Sequence, residues 1–127
     1  MRTDGIGISA EIVNEIRSHI SNEFGEAYLP ESPKIYKSKA ANAQEAHEPI
    51  RPTDIQNKPE NTNGLNQDQQ NLYNLIWQRT VASQLQNSRY LRKTILIEDQ
   101  DKKFQLRTSG REIIFDGFER VLKDDAD

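Results

Sequence analysis

The sequence contains no cysteine. Without thiolates the chain can form neither a disulfide nor a cysteine-ligated zinc site, and nothing points to a secreted protein. The sequence also lacks an uninterrupted run of about 18 apolar residues. Its N-terminus does not have the basic-then-apolar pattern of a signal peptide. From these absences we expect a soluble, intracellular protein that does not cross a membrane.

Apolar side chains are scarce as well. They make up 34% of the 127 residues, or 39% when the six glycines are added, and aromatic residues only 7%. An ordinary globular domain has about 45–50% apolar residues on a count that includes glycine. The length suffices for about one domain, so its core must be thin. Either part of the chain is loop, or other elements of a larger protein cover its exposed faces.

Two stretches have the spacing of apolar residues that is typical of amphipathic helices. The first is 10–24, where Ser9 is the predicted N-cap and Gly25 the predicted stop. The second, 67–85, is the longer and should be the main core element, with Trp77 buried. Residues 1–87 are therefore predicted to be mainly helical.

The connector between these helices contains few large apolar side chains and many Asn, Pro and Gly residues. We expect a flexible loop at about 56–66, because such a segment cannot bury enough surface to order itself. From residue 88 the pattern changes to a period of two, which predicts an antiparallel meander of three strands at 94–98, 103–107 and 112–115. The fold class is thus α+β.

The charge is unevenly distributed. The net charge is −3, which argues against a protein that coats nucleic acid by bulk electrostatics. Residues 88–111 nevertheless carry seven basic residues against three acidic ones. They form either a local basic surface or the solvated face of a β-hairpin.

The stretch 43–54 has the composition of a functional site. It carries His47 and Arg51 around two prolines, Pro49 and Pro52, where no core is being built. A helix arriving through 40–46 should end near His47, because proline cannot continue it. A zinc site fails for lack of further ligands, and His19, within the first helix, is expected at the surface. Phosphate recognition remains, although Glu45 and Glu48 could instead pair with nearby lysines and His47 could cap the helix.

Two further segments carry positive charge. Arg2 can offer a bidentate fork to a phosphate. Lys37 and Lys39 follow Tyr36 in an extended basic segment that could track a phosphate backbone. A solvated loop explains the same segment equally well.

Five motifs follow one another along the chain, at 1–4, 24–30, 36–39, 43–54 and 72–77. In this order they resemble the motifs of the bacterial type IA DNA topoisomerases. The resemblance covers about residues 1–85 and continues more loosely through the predicted strands. Each motif is moderately specific, and their combination carries the identification.

The resemblance implies an isomerase that relaxes negatively supercoiled DNA by transient single-strand cleavage, through a 5′-phosphotyrosine link, and by strand passage. Residues 1–87 would belong to the helical domain on the tyrosine side and 88–127 to the β-rich gate domain. Partners would be single-stranded or negatively supercoiled DNA and the remaining domains of the parent enzyme. The parent would be cytoplasmic and nucleoid-associated. Its Mg²⁺ would be bound outside this chain, which itself would bind no cofactor.

In that family the nucleophilic tyrosine stands immediately before the sequence Met-Arg-Thr-Asp, with which this chain begins. None of the four tyrosines present has the matching context. We therefore expect the chain to be inactive alone. A non-catalytic module that binds single-stranded DNA, or a purely structural one, is the alternative.

The resemblance assigns roles to residues around the nucleophile. Arg2 would stabilise charge on the scissile phosphate, and Asp4 would hold that arginine and the tyrosine loop in place. His47 would contact the phosphate, and Arg51 would help to position it. The chain departs from the family at Gly5, where many members have serine, and at Pro49, where alanine is usual.

Overall fold

The computed structural model describes residues 5–37 and 47–122. In these ranges two α-helices precede a two-stranded antiparallel hairpin, which confirms the α+β class. No helix among the described residues is long and apolar enough to cross a membrane. The elements are α1 (Ala10–Phe24), α2 (Gln67–Gln84), β1 (Arg89–Glu98) and β2 (Gln105–Phe115), with short 3₁₀ helices at Glu26–Tyr28, Pro59–Asn61 and Gly117–Arg120.

Both helices begin at capped ends. The Ser9 hydroxyl accepts a hydrogen bond from the Ile12 amide at 3.4 Å, and α1 ends at Gly25, whose φ is 91°. Asn66 and Gln69 form a reciprocal capping box at the start of α2. The predicted helices are confirmed, with α2 one residue shorter at its C-terminus than expected.

The core lies between the two helices. It contains Ile16 and Ile20 of α1, which are fully buried, and Trp77 and Val81 of α2. The rest of the buried cluster consists of Ile55, Leu85 and Val121. Each fully buried side chain of this size contributes about 1.5–3 kcal/mol. The core is small, as the composition predicts.

The predicted meander of three strands is wrong. Ser109 and Gly110 do not form a turn but pair with Thr94 and Lys93 inside one long strand. The second and third predicted strands are thus the two halves of β2. The reversal occurs at 99–104, where Lys102 has a positive φ of 54°. Ten paired positions along the hairpin outweigh the local turn preference of a single Ser-Gly pair.

The connector has more local order than its composition predicts. Pro59 is buried and begins a 3₁₀ helix. The Thr62 hydroxyl donates to the Pro59 carbonyl at 2.8 Å, and the Tyr73 hydroxyl of α2 donates to the Asn57 carbonyl at 2.6 Å. Side chains of α2 satisfy backbone groups of the connector, which compensates for its few apolar contacts.

The base of the hairpin docks on the helical part. The Tyr28 hydroxyl donates to Asp116 at 2.6 Å, and the Gln86 amide donates to the Tyr28 carbonyl at 2.8 Å. Gly117 has a φ of 50°, and a Cβ there would lie 2.5 Å from the Gln86 carbonyl oxygen. Only glycine fits this position. The division at 87/88 into two domains stays a prediction.

Candidate functional site: the segment around His47

The segment 47–54 presents its charged side chains at the surface. His47 is exposed. The Arg51 guanidinium forms a 2.9 Å ion pair with Glu48 and donates to the Pro52 carbonyl at 3.1 Å. The Arg51 side chain is only 19% exposed, whereas that of Glu48 is 53% exposed. Arg51 is therefore held in one place and shows one edge to solvent.

The Glu48 pairing answers a question that the sequence left open. An acidic neighbour does pair with a basic side chain, but the partner is Arg51 rather than a lysine. An ion pair of this exposure is worth about 0–1 kcal/mol. Exchanging the carboxylate for a phosphate group would therefore cost little, and Arg51 keeps the capacity to bind an anion.

Helix α2 holds the end of the segment 47–54 in place through a hydrogen bond to the following residue, Ile55. The Trp77 indole nitrogen donates to the Ile55 carbonyl at 2.9 Å, and this bond is buried. Pro52 is buried as well. The Asp54 carboxylate accepts a hydrogen bond from the Gln56 amide at 2.8 Å, which closes a local turn. The charged residues thus stand on a fixed base.

His19 is buried, so the prediction that it lies at the surface is wrong. It is 1% exposed. Its ring meets that of Trp77 edge-on, with 5.5 Å between the centroids, and its Nδ1 lies 3.4 Å from Gln56 Oε1. Its position three residues after Ile16 put it on the buried side of α1. The spacing indicated burial, whereas the residue type, histidine, favoured the surface, and the prediction followed the residue type.

Gly5 lies directly against the candidate site. It is buried, and a Cβ built on it would overlap the His47 carbonyl oxygen and lie 2.9 Å from the carbonyl carbon. Only the absence of a side chain lets the two backbones approach this closely. The sequence marked Gly5 as a departure from the family but gave no sign of this contact.

The basic segment before residue 38 divides into structural and exposed groups. Gln84 brackets the backbone of Lys34 with two hydrogen bonds of 3.0 Å. Burial lowers the pKa of the Lys34 amine. The Tyr36 hydroxyl donates to the Ser83 carbonyl at 2.6 Å. Burial raises the pKa of the Tyr36 hydroxyl. Lys37 is exposed.

Three of the predicted site residues, Arg2, Asp4 and Lys39, lie outside the described residues, as does the helix expected at 40–46. Of the predicted site, the structure therefore places His47, Arg51 and Lys37. His47 and Arg51 lie four residues apart on one segment, and Gly5 packs against that segment at the His47 carbonyl.

A cleft of about 620 Å³ lies beside this segment, between residues 53–56 and α1. Its wall contains Glu11, Glu15 and Asp54, so its charge has the wrong sign for a phosphate. Among residues 5–37 and 47–122 no group of three or more metal-ligating side chains could hold an ion. We therefore place the candidate site on the surface around His47 and Arg51, not in this cleft.

Known proteins resemble the whole chain. DNA topoisomerase 1 of Rickettsia bellii is 44% identical over 128 residues, which cover 100% of this chain and 16% of the relative. That of Escherichia coli is 43% identical over 122 residues, or 96% of this chain and 14% of the relative. Full-length topoisomerase I from Thermotoga maritima matches 98% of the chain with a TM-score of 0.81 and 36% identity, and the match covers 19% of that structure.

The chain thus spans about a sixth of the length of these curated relatives. A family model described as DNA topoisomerase matches residues 1–127. The chain belongs to the DNA topoisomerase family.

Proposed function

We propose that this chain is part of a type IA topoisomerase and forms one wall of the site where a single DNA strand is cut and rejoined. The parent enzyme relaxes negatively supercoiled DNA. Its tyrosine attacks a phosphodiester, remains joined to the 5′ phosphate and releases the 3′ hydroxyl until the strand is resealed. The observation that carries the proposal is the contact of Gly5 with the His47 carbonyl.

That contact matters because of what precedes Gly5 in the family. The nucleophile is expected immediately before residues 1–4. The backbone contact at Gly5 therefore holds the segment next to the nucleophile against the segment that carries His47. A group that binds the scissile phosphate must stand close to the nucleophile. The close approach of the two segments supports His47 as such a group, and it supports Arg2 and Asp4 as its neighbours.

The charges around His47 suit a phosphate. Arg51, held by the Pro52 carbonyl, can exchange Glu48 for a phosphate oxygen. Charge that is fixed in advance stabilises a phosphoryl transition state because it needs no rearrangement during reaction. Lys37, and with it Lys39, would hold the strand further along its backbone.

The chain alone should neither relax DNA nor bind single strands tightly. None of its tyrosines has the family context of the nucleophile. The Mg²⁺ of the parent would be held by acidic residues elsewhere, because the described residues offer no suitable group. A cytoplasmic, nucleoid-associated location follows from the DNA substrate.

A chimaera tests the proposal. Residues 1–127 replace the corresponding segment of the Escherichia coli relative, whose own tyrosine then precedes Met1. We expect the chimaera to relax negatively supercoiled plasmid, and the purified chain by itself not to do so. A chimaera that folds, as judged by a cooperative thermal transition, but never forms a covalent DNA adduct would contradict the proposal. It would leave a non-catalytic DNA-binding module.

A further inference from the structure

The hairpin carries two chemically different faces. Residues paired directly across an antiparallel ladder project to the same side, and neighbours along a strand to opposite sides. One face, which we name the arginine face, includes three arginines and one glutamate. Its members are Tyr90, Arg92, Thr94, Leu96 and Glu98 of β1 with Gln105, Arg107, Ser109, Arg111 and Ile113 of β2.

Two arginines stand directly opposite each other on this face. Arg92 pairs with Arg111 in the register. Cβ atoms in such a pair are about 4.5–5.5 Å apart, and like charges there destabilise a hairpin. Among the described residues neither arginine forms an ion pair, and both are exposed. The Arg111 guanidinium stacks on the Tyr90 ring at 4.8 Å, but no ion pair among the described residues offsets the repulsion between the two arginines, and a bound anion would do so.

The opposite face shows the usual arrangement. Lys93 lies 3.8 Å from Glu112, so opposite charges meet there. The same face carries apolar residues that are all exposed, namely Leu91, Ile95, Ile97 and Leu106. A sheet with one apolar face normally buries it and leaves the other to solvent. Both faces are exposed in this chain, but the arginine face is the one whose composition suits water and dissolved anions.

The spacing of the arginines suits a polyanion rather than a single ion. Arg107 is four residues from Arg111 along β2, which separates them by about 13 Å. Each strand of duplex DNA carries one phosphate per 3.4 Å or so of helix axis. The arginine face thus offers a row of positive charge that extends over several phosphates.

The aromatic content of the face favours duplex over single-stranded DNA. Proteins bind single strands by stacking bases on aromatic rings as well as by charge. Tyr90 is the one aromatic residue on the arginine face, and the Arg111 guanidinium already covers its ring at 4.8 Å. No ring on this face is left for a base, whereas a duplex presents phosphates and keeps its bases stacked inside.

We infer that the arginine face is a second DNA-binding surface, separate from the segment around His47, and that it binds the phosphate backbone of duplex DNA without regard to sequence. Arg92 and Arg111 share one phosphate region, and Arg107 contacts the strand further along. The surface needs neither the nucleophile nor a metal ion, so it can be tested in the chain itself.

The experiment compares two triple variants that each remove three positive charges from the same hairpin. R92Q/R107Q/R111Q strips the arginine face, and K93Q/K102Q/K103Q strips the opposite face and the turn. Binding to a short labelled duplex is followed by fluorescence anisotropy from about 50 to 200 mM salt. The arginine variant should bind at least about tenfold more weakly, and its salt slope should fall by roughly 0.9 for each phosphate that is no longer neutralised. The lysine variant should keep most of its affinity for the duplex and most of its salt slope.

Equal reductions in the two variants would overturn the inference, because they would reflect bulk charge alone. Tighter binding to a single strand of the same length would overturn the assignment to duplex DNA. Arg92→Glu separates binding from folding, since it places opposite charges across the ladder. Its melting temperature should stay the same or rise while duplex affinity falls, and unchanged affinity would contradict the inference. Failure of the topoisomerase proposal would not affect these results, which require no cleavage.

Discussion

The backbone of Gly5 packs against the carbonyl group of His47, with room for no Cβ between them. The contact joins the N-terminal segment to the segment that carries Arg51. It also gives a physical meaning to a departure from the family pattern. A larger residue at this position would have to push the two segments apart, so this chain should depend on its glycine.

Gly5→Ala should therefore impair cleavage in the chimaera. The new Cβ must push the two segments apart, and a displacement of about 1 Å at a reacting group can cost about 10²-fold in rate. The matched control is Gly7→Ala, because a Cβ at Gly7 meets no atom within 4 Å. Single-turnover cleavage of a labelled oligonucleotide measures both. Equal rates for the two variants would show that the contact does not position the site.

Arg51→Gln should weaken cleavage in the chimaera because it removes a fixed positive charge. Removing one such group typically costs about 10²–10³-fold in rate. Arg79→Gln is the control, since Arg79 is an exposed arginine on another element, α2, and its replacement removes the same charge. Arg51→Lys should restore activity only in part, because an ammonium group cannot make the bidentate contact. Full activity of Arg51→Gln would remove Arg51 from the site.

Trp77→Phe should destabilise the chain by about 2 kcal/mol. The change leaves the buried Ile55 carbonyl without its donor, and an unsatisfied buried group costs about 1–3 kcal/mol. Tyr73→Phe also removes a hydrogen bond to the connector, but an exposed one, and should cost less. Urea unfolding followed by circular dichroism gives both values. Equal costs would mean that the Trp77 bond does not anchor the segment.

Tyr28→Phe should change how stability depends on pH. The hydrogen bond from Tyr28 holds the pKa of Asp116 below its ordinary 3.8. The same bond holds the pKa of Tyr28 above its ordinary 10.0. Its stabilisation is therefore complete between about pH 5 and 9, fades as the pH falls below the ordinary Asp116 pKa, and fades again as the pH rises through the raised Tyr28 pKa.

The variant should be less stable by about 1 kcal/mol at neutral pH, because the bond is partly exposed. Its stability should approach that of the unchanged chain as the pH falls through the lowered pKa of Asp116. Tyr36→Phe is the control, since its hydroxyl bonds to a carbonyl that does not titrate. Thermal melts across the acid range distinguish the two. A Tyr28→Phe deficit that persists at low pH would show that Asp116 is not its cause.

The helices were predictable because their signals are local. Ser9, Gly25 and the spacing of Ile16 and Ile20 each act within one or two turns. The antiparallel pairing around residues 99–104 was predictable too, but the full length of β2 was not, since Ser109 and Gly110 have turn preferences that only pairing with the other strand overrides. Long-range pairing is a property of two segments, and neither segment reveals it alone.

The candidate site divides in the same way. His47 and Arg51 could be chosen from residue type and from the family resemblance. The contact at Gly5 could not, because it depends on how separate segments pack. The Glu48 pair and the buried His19 had local signals, a spacing of three residues in each case, that residue type alone does not show. The roles of Arg2, Asp4 and Lys39 stay predictions.

The role of the His47 segment is decided by the rate at which the chimaera forms its covalent DNA adduct, with His47 and with His47→Ala. The substrate is a single-stranded oligonucleotide labelled at its 3′ end. Cleavage leaves the tyrosine joined to the 5′ phosphate of the labelled fragment, so the label stays with the protein and reports the covalent link. We expect the chimaera to form the adduct, and His47→Ala to lower its rate of formation by about 10²-fold while melting at the same temperature. An unchanged rate in His47→Ala would contradict the proposal that this segment binds the scissile phosphate.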